Sequence, residues 1–262
     1  MAIIVMLQTL VIPALSPILA VLVLLVAFLY ASVGFGGASG YLAVMSFFDI
    51  SAPIAASTAL SLNTIVSGIA FVNYTRYRHL QFKLLWPFLV TSIPAAFIGG
   101  TLQVGQFFYQ ALLNLVLLYV ALLLLIGNPR PASNPSLNTP SWSVMLVVGV
   151  ILGLLSGLLG VGGGIFLSPL ILLAGWGLPK QAAASSAGFI LINSMAGLAG
   201  RAWGGTLQFA DFGLTLVTLG IIGGLAGSYL GARFYSGQVI RRLLGVVLLV
   251  AVARFLYLWL GS

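Results

Sequence analysis

The fold is decided by Leu155-Ser156-Gly157-Leu158-Leu159-Gly160-Val161-Gly162-Gly163-Gly164, a glycine-rich stretch inside an otherwise apolar region. A weaker copy lies earlier in the chain, Ala31-Ser32-Val33-Gly34-Phe35-Gly36-Gly37-Ala38-Ser39-Gly40. Small residues in a membrane segment allow helices to pack closely, and they also allow a helix to break beside a cavity. The short apolar segments at 38–48 and 164–175, which follow the two copies, are too short to cross a bilayer as helices. This repetition favours a broken or re-entrant helix in each half of the chain.

The composition is that of a membrane protein. Of the 262 residues, 61% are hydrophobic and only 5% are charged, whereas a soluble domain has roughly 25% charged residues. The net charge of +8 comes from ten basic and two acidic residues, and the basic residues lie in short gaps between apolar runs. Such gaps are typical of cytoplasmic loops. We therefore expect the chain to contact the lipid bilayer and not nucleic acid.

Apolar segments of spanning length follow one another along the chain. A spanning helix needs about 20 mostly apolar residues, and such segments lie at roughly 9–33, 53–73, 84–103, 107–127, 142–160, 180–199, 212–233 and 240–260. The first carries no Lys or Arg before it and is interpreted as a spanning segment, not as a removable signal peptide. With the two short segments, the sequence predicts an all-α, multi-pass protein of the cell inner membrane with about 8–10 membrane segments.

The two halves of the chain repeat each other. Five short matches recur in order at offsets of 126 to 128 residues: the glycine stretches at 34–37 and 160–163, Pro53 with Pro179, 55–58 with 183–186, 80–82 with 207–209, and 90–91 with 217–218. A proline-rich polar connection separates the halves. We predict a first membrane repeat at 1–127, a central cytoplasmic loop at 128–141 and a second membrane repeat at 142–262.

The charges of the loops predict that the repeat is inverted. Arg76, Arg78 and Lys83 place the 74–83 loop in the cytoplasm. In the equivalent loop at 200–211, Arg201 and Asp211 cancel. Equivalent loops thus carry opposite bias, which is the pattern of inverted-topology repeats, with both termini outside.

An inverted pair of broken helices would form an anion site at the middle of the membrane. Each helix N-terminus carries about half a positive charge and several free N–H groups. Polar residues on the two long helices that follow Pro53 and Pro179 fall on one helical face each, and Arg201 continues the second stripe. Asn63 has no place on the first stripe. The predicted substrate-binding residues are Gly36, Gly37, Ala38, Ser57, Ser61, Thr64, Gly162, Gly163, Gly164, Ser186, Asn193 and Arg201.

Less specific explanations compete for several of these residues. The hydroxyl and amide stripes are equally expected from hydrogen bonding between helices. Asp49 and Asp211 favour helix capping over a proton relay, and His79 favours a surface position over catalysis. No metal site and no cofactor is expected, and the sequence leaves the oligomeric state open. Proton co-transport, with the substrate carrying the proton, is a hypothesis.

Three functional classes compete. An intramembrane enzyme needs Ser/His pairs, paired Asp or metal ligands, and the acids and the one histidine lie near segment ends, so no enzyme is expected. A passive anion channel could be lined by the same helix ends. Broken helices in repeated halves favour alternating access instead.

The two glycine stretches resemble the motifs of the sulfite exporter TauE/SafE family, and the resemblance extends over nearly the whole chain. The first copy departs from the second, with Ala38 where the second has Gly164. Membership would imply transport of small sulfur-containing anions, namely sulfite, thiosulfate, organosulfonates or related carboxylates. A transporter of a non-sulfur small anion is the alternative.

Overall fold

The computed structural model describes residues 17–48, 50–126, 140–209 and 213–233, together with the single positions 249 and 253. Every regular element in these ranges is a helix, which confirms the predicted all-α class. The expectations for the central loop, the 240–260 segment, Asp49 and Asp211 lie outside the described residues.

Nine helices make up the described ranges, and five of them are long and apolar enough to cross a membrane. In chain order they are α1 (Pro17–Ala31), α2 (Ala38–Phe47), α3 (Ala52–Arg76), α4 (Phe82–Thr101), α5 (Gln106–Ile126), α6 (Trp142–Leu159), α7 (Gly164–Leu173), α8 (Pro179–Trp203) and α9 (Gly213–Arg233). The long helices α3 and α8 each carry a proline in the first turn, where no helical N–H is lost. The chain is therefore a multi-pass membrane protein.

Both glycine stretches break the helix in which they lie, as predicted. α1 ends at Ala31 and α2 starts at Ala38, and α6 ends at Leu159 before α7 starts at Gly164. The glycines that precede α2 and α7 adopt left-handed φ values, 100° at Gly37 and 70° at Gly163. Residues with a Cβ rarely adopt this conformation, which explains why glycine marks each break.

The two long helices at equivalent places in the repeat, α3 and α8, run in opposite directions. Near the start of α3, Leu60 lies against Gly197 in the second half of α8. Near the end of α3, Phe71 lies against Gly188 in the first half of α8. The helices therefore cross antiparallel at the centre of the bundle.

Glycines also allow two pairs of helices to pack with their backbones in contact. A Cβ on Gly157 of α6 would overlap the carbonyl oxygen of Ala96 in α4, and a Cβ on Gly227 of α9 would overlap that of Phe28 in α1. Each contact joins a helix of the first predicted repeat to one of the second. The halves are thus interleaved in space. At these positions, close packing between helices explains the glycines.

Candidate functional site

A cavity of about 340 Å³ opens at one end of the bundle, where α3 begins and α8 ends. It lies between four helices, α3, α5, α6 and α8, and the loops that follow α4 and α8. The residues that line it are Ser51, Ala52, Pro53, Leu102, Gln103, Val104, Tyr109, Leu158, Arg201, Gly205, Thr206 and Gln208. Of the predicted binding residues, only Arg201 is part of this lining.

Arg201 brings a buried positive charge to the cavity. Its side chain is 5% exposed, and Nη2 donates to the carbonyl oxygens of Gly157 at 3.2 Å and Leu158 at 2.8 Å. Because these carbonyls belong to the last turn of α6, the guanidinium lies at the negative end of that helix. Its Nε has no hydrogen-bond partner among the described residues. A buried cation therefore belongs to the cavity lining, which favours an anionic solute.

Tyr109 is a lining residue that the sequence did not indicate. Its hydroxyl donates to the carbonyl oxygen of Leu159 at 3.0 Å, so it caps the same helix end that Arg201 contacts. An aromatic residue in an apolar segment has no spacing pattern that distinguishes it from its lipid-facing neighbours. The feature that could have indicated Tyr109 is its position at the start of α5, next to a loop.

The glycine breaks lie away from the cavity lining and meet at Asn63, which is fully buried. Asn63 Oδ1 accepts from the backbone N–H of Ala38 at 2.9 Å, and Nδ2 donates to the carbonyl oxygen of Val161 at 3.2 Å. Gly36 and Gly162 are so close to this side chain that a Cβ on either would overlap it. The two breaks thus come together as expected. They are joined by the side-chain amide of Asn63, a residue that does not lie on the predicted polar stripe of its helix.

The glycines at the starts of α2 and α7 are also packed against side chains. Gly37 and Gly163 lie against Tyr41 and Phe189, and Gly164 lies against Ile190. The open space expected between the two helix N-termini is therefore filled by side chains in this conformation. The cavity lies nearer one end of the bundle, beside Arg201.

The hydroxyls of the first stripe bond within their own helix. Ser57, Ser61 and Thr64 donate to the carbonyl oxygens four residues earlier, at 2.8, 3.0 and 2.9 Å. Ser57 also accepts from the backbone N–H of Gln208 at 3.2 Å, which joins α3 to the loop after α8. These contacts are the hydrogen bonding that hydroxyls often make in helices.

The second stripe keeps unused polar atoms. Ser186 Oγ and Asn193 Oδ1 are buried without a hydrogen-bond partner in the described ranges, and so is the Oγ of Ser194, which was not part of the predicted stripe. Asn193 Nδ2 donates to the carbonyl oxygen of Phe189 at 2.8 Å. The face of α8 that leads toward Arg201 therefore has the greater capacity to bind a solute.

The opposite end of the bundle is basic. Lys180, in the first turn of α8, donates to the carbonyl oxygen of Ala232 at 3.0 Å. Partial burial and the charge of Lys180 hold the pKa of His79 below its usual value. His79 lies in the loop between α3 and α4, as expected for a residue outside the membrane segments. Among the described residues, no group of three His, Cys, Asp or Glu is placed to hold a metal ion.

Comparison with known proteins agrees with this architecture. A probable membrane transporter protein of Sinorhizobium fredii is 33% identical over 247 residues, covering 91% of this chain and 97% of the relative. A probable membrane transporter protein of Bacillus subtilis is 23% identical over 231 residues, covering 80% of this chain and 83% of the relative. No solved structure matches the chain. The sequence model of the sulfite exporter TauE/SafE family matches residues 19–255, which include both glycine breaks, so the chain belongs to that family.

Proposed function

We propose that the protein is a secondary transporter of small sulfur-containing anions in the cell inner membrane, working by alternating access. The observation that carries the proposal is the cavity with a buried guanidinium at its wall. Its volume of about 340 Å³ lies at the lower end of the roughly 300–1,000 Å³ range of ligand pockets. A small oxyanion and some water fit such a space. Membership in an exporter family favours transport over catalysis.

An inverted relation between the halves supports alternating access. Besides the antiparallel crossing of α3 and α8, Gly34 lies against Ala183 and Gly160 lies against Ala56. These two contacts nearly exchange the halves, since 34 is equivalent to 160, and 56 is equivalent to 184, the residue next to Ala183. Such reciprocal contacts are what a two-fold axis in the membrane plane produces.

The charge distribution supports an orientation with the cavity on the outer side of the membrane. Five of the six basic residues in the described ranges lie at the end opposite the cavity, namely Arg76, Arg78, Lys83, Lys180 and Arg233. The positive-inside rule places that end in the cytoplasm. The described conformation is then open toward the outside.

The substrate class follows from family membership and from the donors at the cavity. A guanidinium matches the geometry of sulfite, sulfonate and carboxylate oxygens. The family takes its name from sulfite export. Thiosulfate, organosulfonates and related carboxylates share the same oxyanion chemistry.

The test is counterflow in proteoliposomes that hold purified protein. Vesicles loaded with unlabelled sulfite should accumulate labelled sulfite transiently above its outside concentration, because a carrier exchanges one substrate for another. Thiosulfate, a small sulfonate and a carboxylate are compared in parallel, and chloride serves as the control anion. Flux that only follows the gradient would identify a passive anion channel, and exchange confined to the carboxylate would overturn the sulfur assignment. Transport rates that do not change when a pH gradient is imposed would reject proton co-transport.

A further inference from the structure

The first turn of α2 has its first backbone N–H bonded to a side-chain amide oxygen. Its N-cap, Gly37, is left-handed, and the first helical N–H, that of Ala38, points to Asn63 Oδ1. A carboxamide oxygen at this place is the neutral analogue of an anion's oxygen at a helix N-terminus. The helix is ten residues long and buried through its first two turns.

A second hydrogen-bond donor, the hydroxyl of Tyr41, lies beside this turn. Tyr41 is fully buried, and its hydroxyl has no hydrogen-bond partner in the part of the chain that the structure describes. The hydroxyl oxygen lies 2.8 Å from the position that a Cβ on Gly37 would take. It therefore faces Gly37, the residue that precedes Ala38 in the chain. Burying a hydroxyl without a partner is unfavourable, and the group therefore suits a ligand that arrives later.

The same amide holds the second half of the protein. Asn63 Nδ2 donates to the carbonyl oxygen of Val161, in the break that precedes α7. At the offset of 127 residues, the position of Asn63 is occupied by Ile190, and both Gly36 and Gly162 pack against these two side chains. Asn63 is thus a single polar tie between the two broken helices.

We propose that Asn63 occupies the anion subsite at the start of α2 and is displaced by the substrate. A substrate oxygen takes over the N–H of Ala38 and accepts from the hydroxyl of Tyr41. When the amide turns away, it also releases Val161, so binding loosens the contact between the halves. This inference rests on the proposed transport of an oxyanion. It adds Tyr41 and the N–H of Ala38 to the groups that bind the oxyanion, and Asn63 as the group that the oxyanion displaces.

The Tyr41→Phe variant tests the subsite by titration calorimetry of purified protein with sulfite. It removes a hydroxyl to which the described residues offer no hydrogen-bond partner, so the fold should hold. Affinity for sulfite should fall about tenfold, as expected for a lost hydrogen bond to a charged group. Ser92→Ala is the matched control, because Ser92 also has a fully buried hydroxyl without a partner in the described ranges, and it lies on α4.

The Asn63→Ala variant tests the displacement. Removing the competing amide should tighten sulfite binding by about two- to tenfold, the worth of one ordinary hydrogen bond. Counterflow should slow, because binding no longer releases a tie. Asn63→Asp should weaken sulfite binding, since a fixed carboxylate would hold the N–H of Ala38 and repel the anion. A merely structural amide would not give opposite changes in affinity and exchange rate.

The outcomes separate this inference from the proposed function. Wild-type protein that binds no sulfite or thiosulfate overturns the proposed function and the subsite together. Wild-type binding that Tyr41→Phe leaves at the level of Ser92→Ala overturns the subsite alone. Weaker binding in Asn63→Ala, with thermal stability maintained, overturns the displacement.

Discussion

At the scale of single residues, Arg201 has two tasks that compete for one side chain. Nη2 is engaged with the end of α6, whereas Nε has no partner among the described residues, and Arg201 belongs to the cavity lining. An anion that binds Nε would therefore meet a guanidinium whose position is already fixed. Fixed donors lose less side-chain entropy when a ligand binds.

Replacing Arg201 should impair binding more than folding. We expect Arg201→Gln to weaken sulfite affinity at least about tenfold, because a charge-assisted hydrogen bond is lost. The sulfite affinity of Arg201→Lys should lie between that of the wild type and that of Arg201→Gln, since lysine keeps the charge without the planar fork. Calorimetry measures the affinity, and Arg78→Gln at the opposite end is the control. Unchanged affinity in Arg201→Gln, at an unchanged melting temperature, would remove Arg201 from the site.

At the scale of elements, the glycine breaks combine left-handed backbone strain with close packing. A comparison with Gly175 allows the two effects to be measured separately. Gly162 has a φ of 80° and a Cβ there would overlap Asn63. Gly175 has a φ of 69° and nothing within 4 Å of a Cβ. Gly175→Ala should therefore cost only about 1–2 kcal/mol of left-handed strain, and Gly162→Ala should cost clearly more. Thermal unfolding in detergent compares them, and equal losses would contradict the packing at Asn63.

The glycine contacts between long helices give a second prediction. Gly157→Ala should lower the melting temperature, because the new methyl group forces α6 away from the carbonyl oxygen of Ala96. Gly68→Ala is the control, since its Cβ would meet Leu191 at an ordinary 3.5 Å. Alanine is also the better helix former, so Gly68→Ala should be neutral or stabilising. A similar loss in both variants would show that the α4–α6 distance does not matter.

Local patterns predicted the helices and their breaks, but not the contacts that complete the site. A glycine cluster records a backbone conformation directly, so the breaks could be located from the sequence. The role of Asn63 depends on Val161, a residue 98 positions later, and helical spacing carries no information about such a partner. Spacing also placed Ser61 and Thr64 on one face, yet it did not reveal that their hydroxyls bond within α3.

At the scale of the whole molecule, the topology is open to a direct test because the chain contains no cysteine. Single cysteines at Tyr77 and Leu207, both exposed, mark the two ends of the bundle. A membrane-impermeant maleimide should label Leu207→Cys in cells whose outer membrane has been permeabilised. It should label Tyr77→Cys only after the inner membrane is opened, as the positive-inside rule requires. Labelling of both from one side would refute the inverted arrangement.

The interleaving of the halves has a consequence for biosynthesis. α4 leaves the ribosome before α6 and α8 exist, and α1 leaves it long before α9, although these are the helices whose backbones meet through glycine. The close contacts of the first half are therefore made only when the later helices arrive. Insertion into the bilayer and final packing must be separate events, and neither half completes its packing alone.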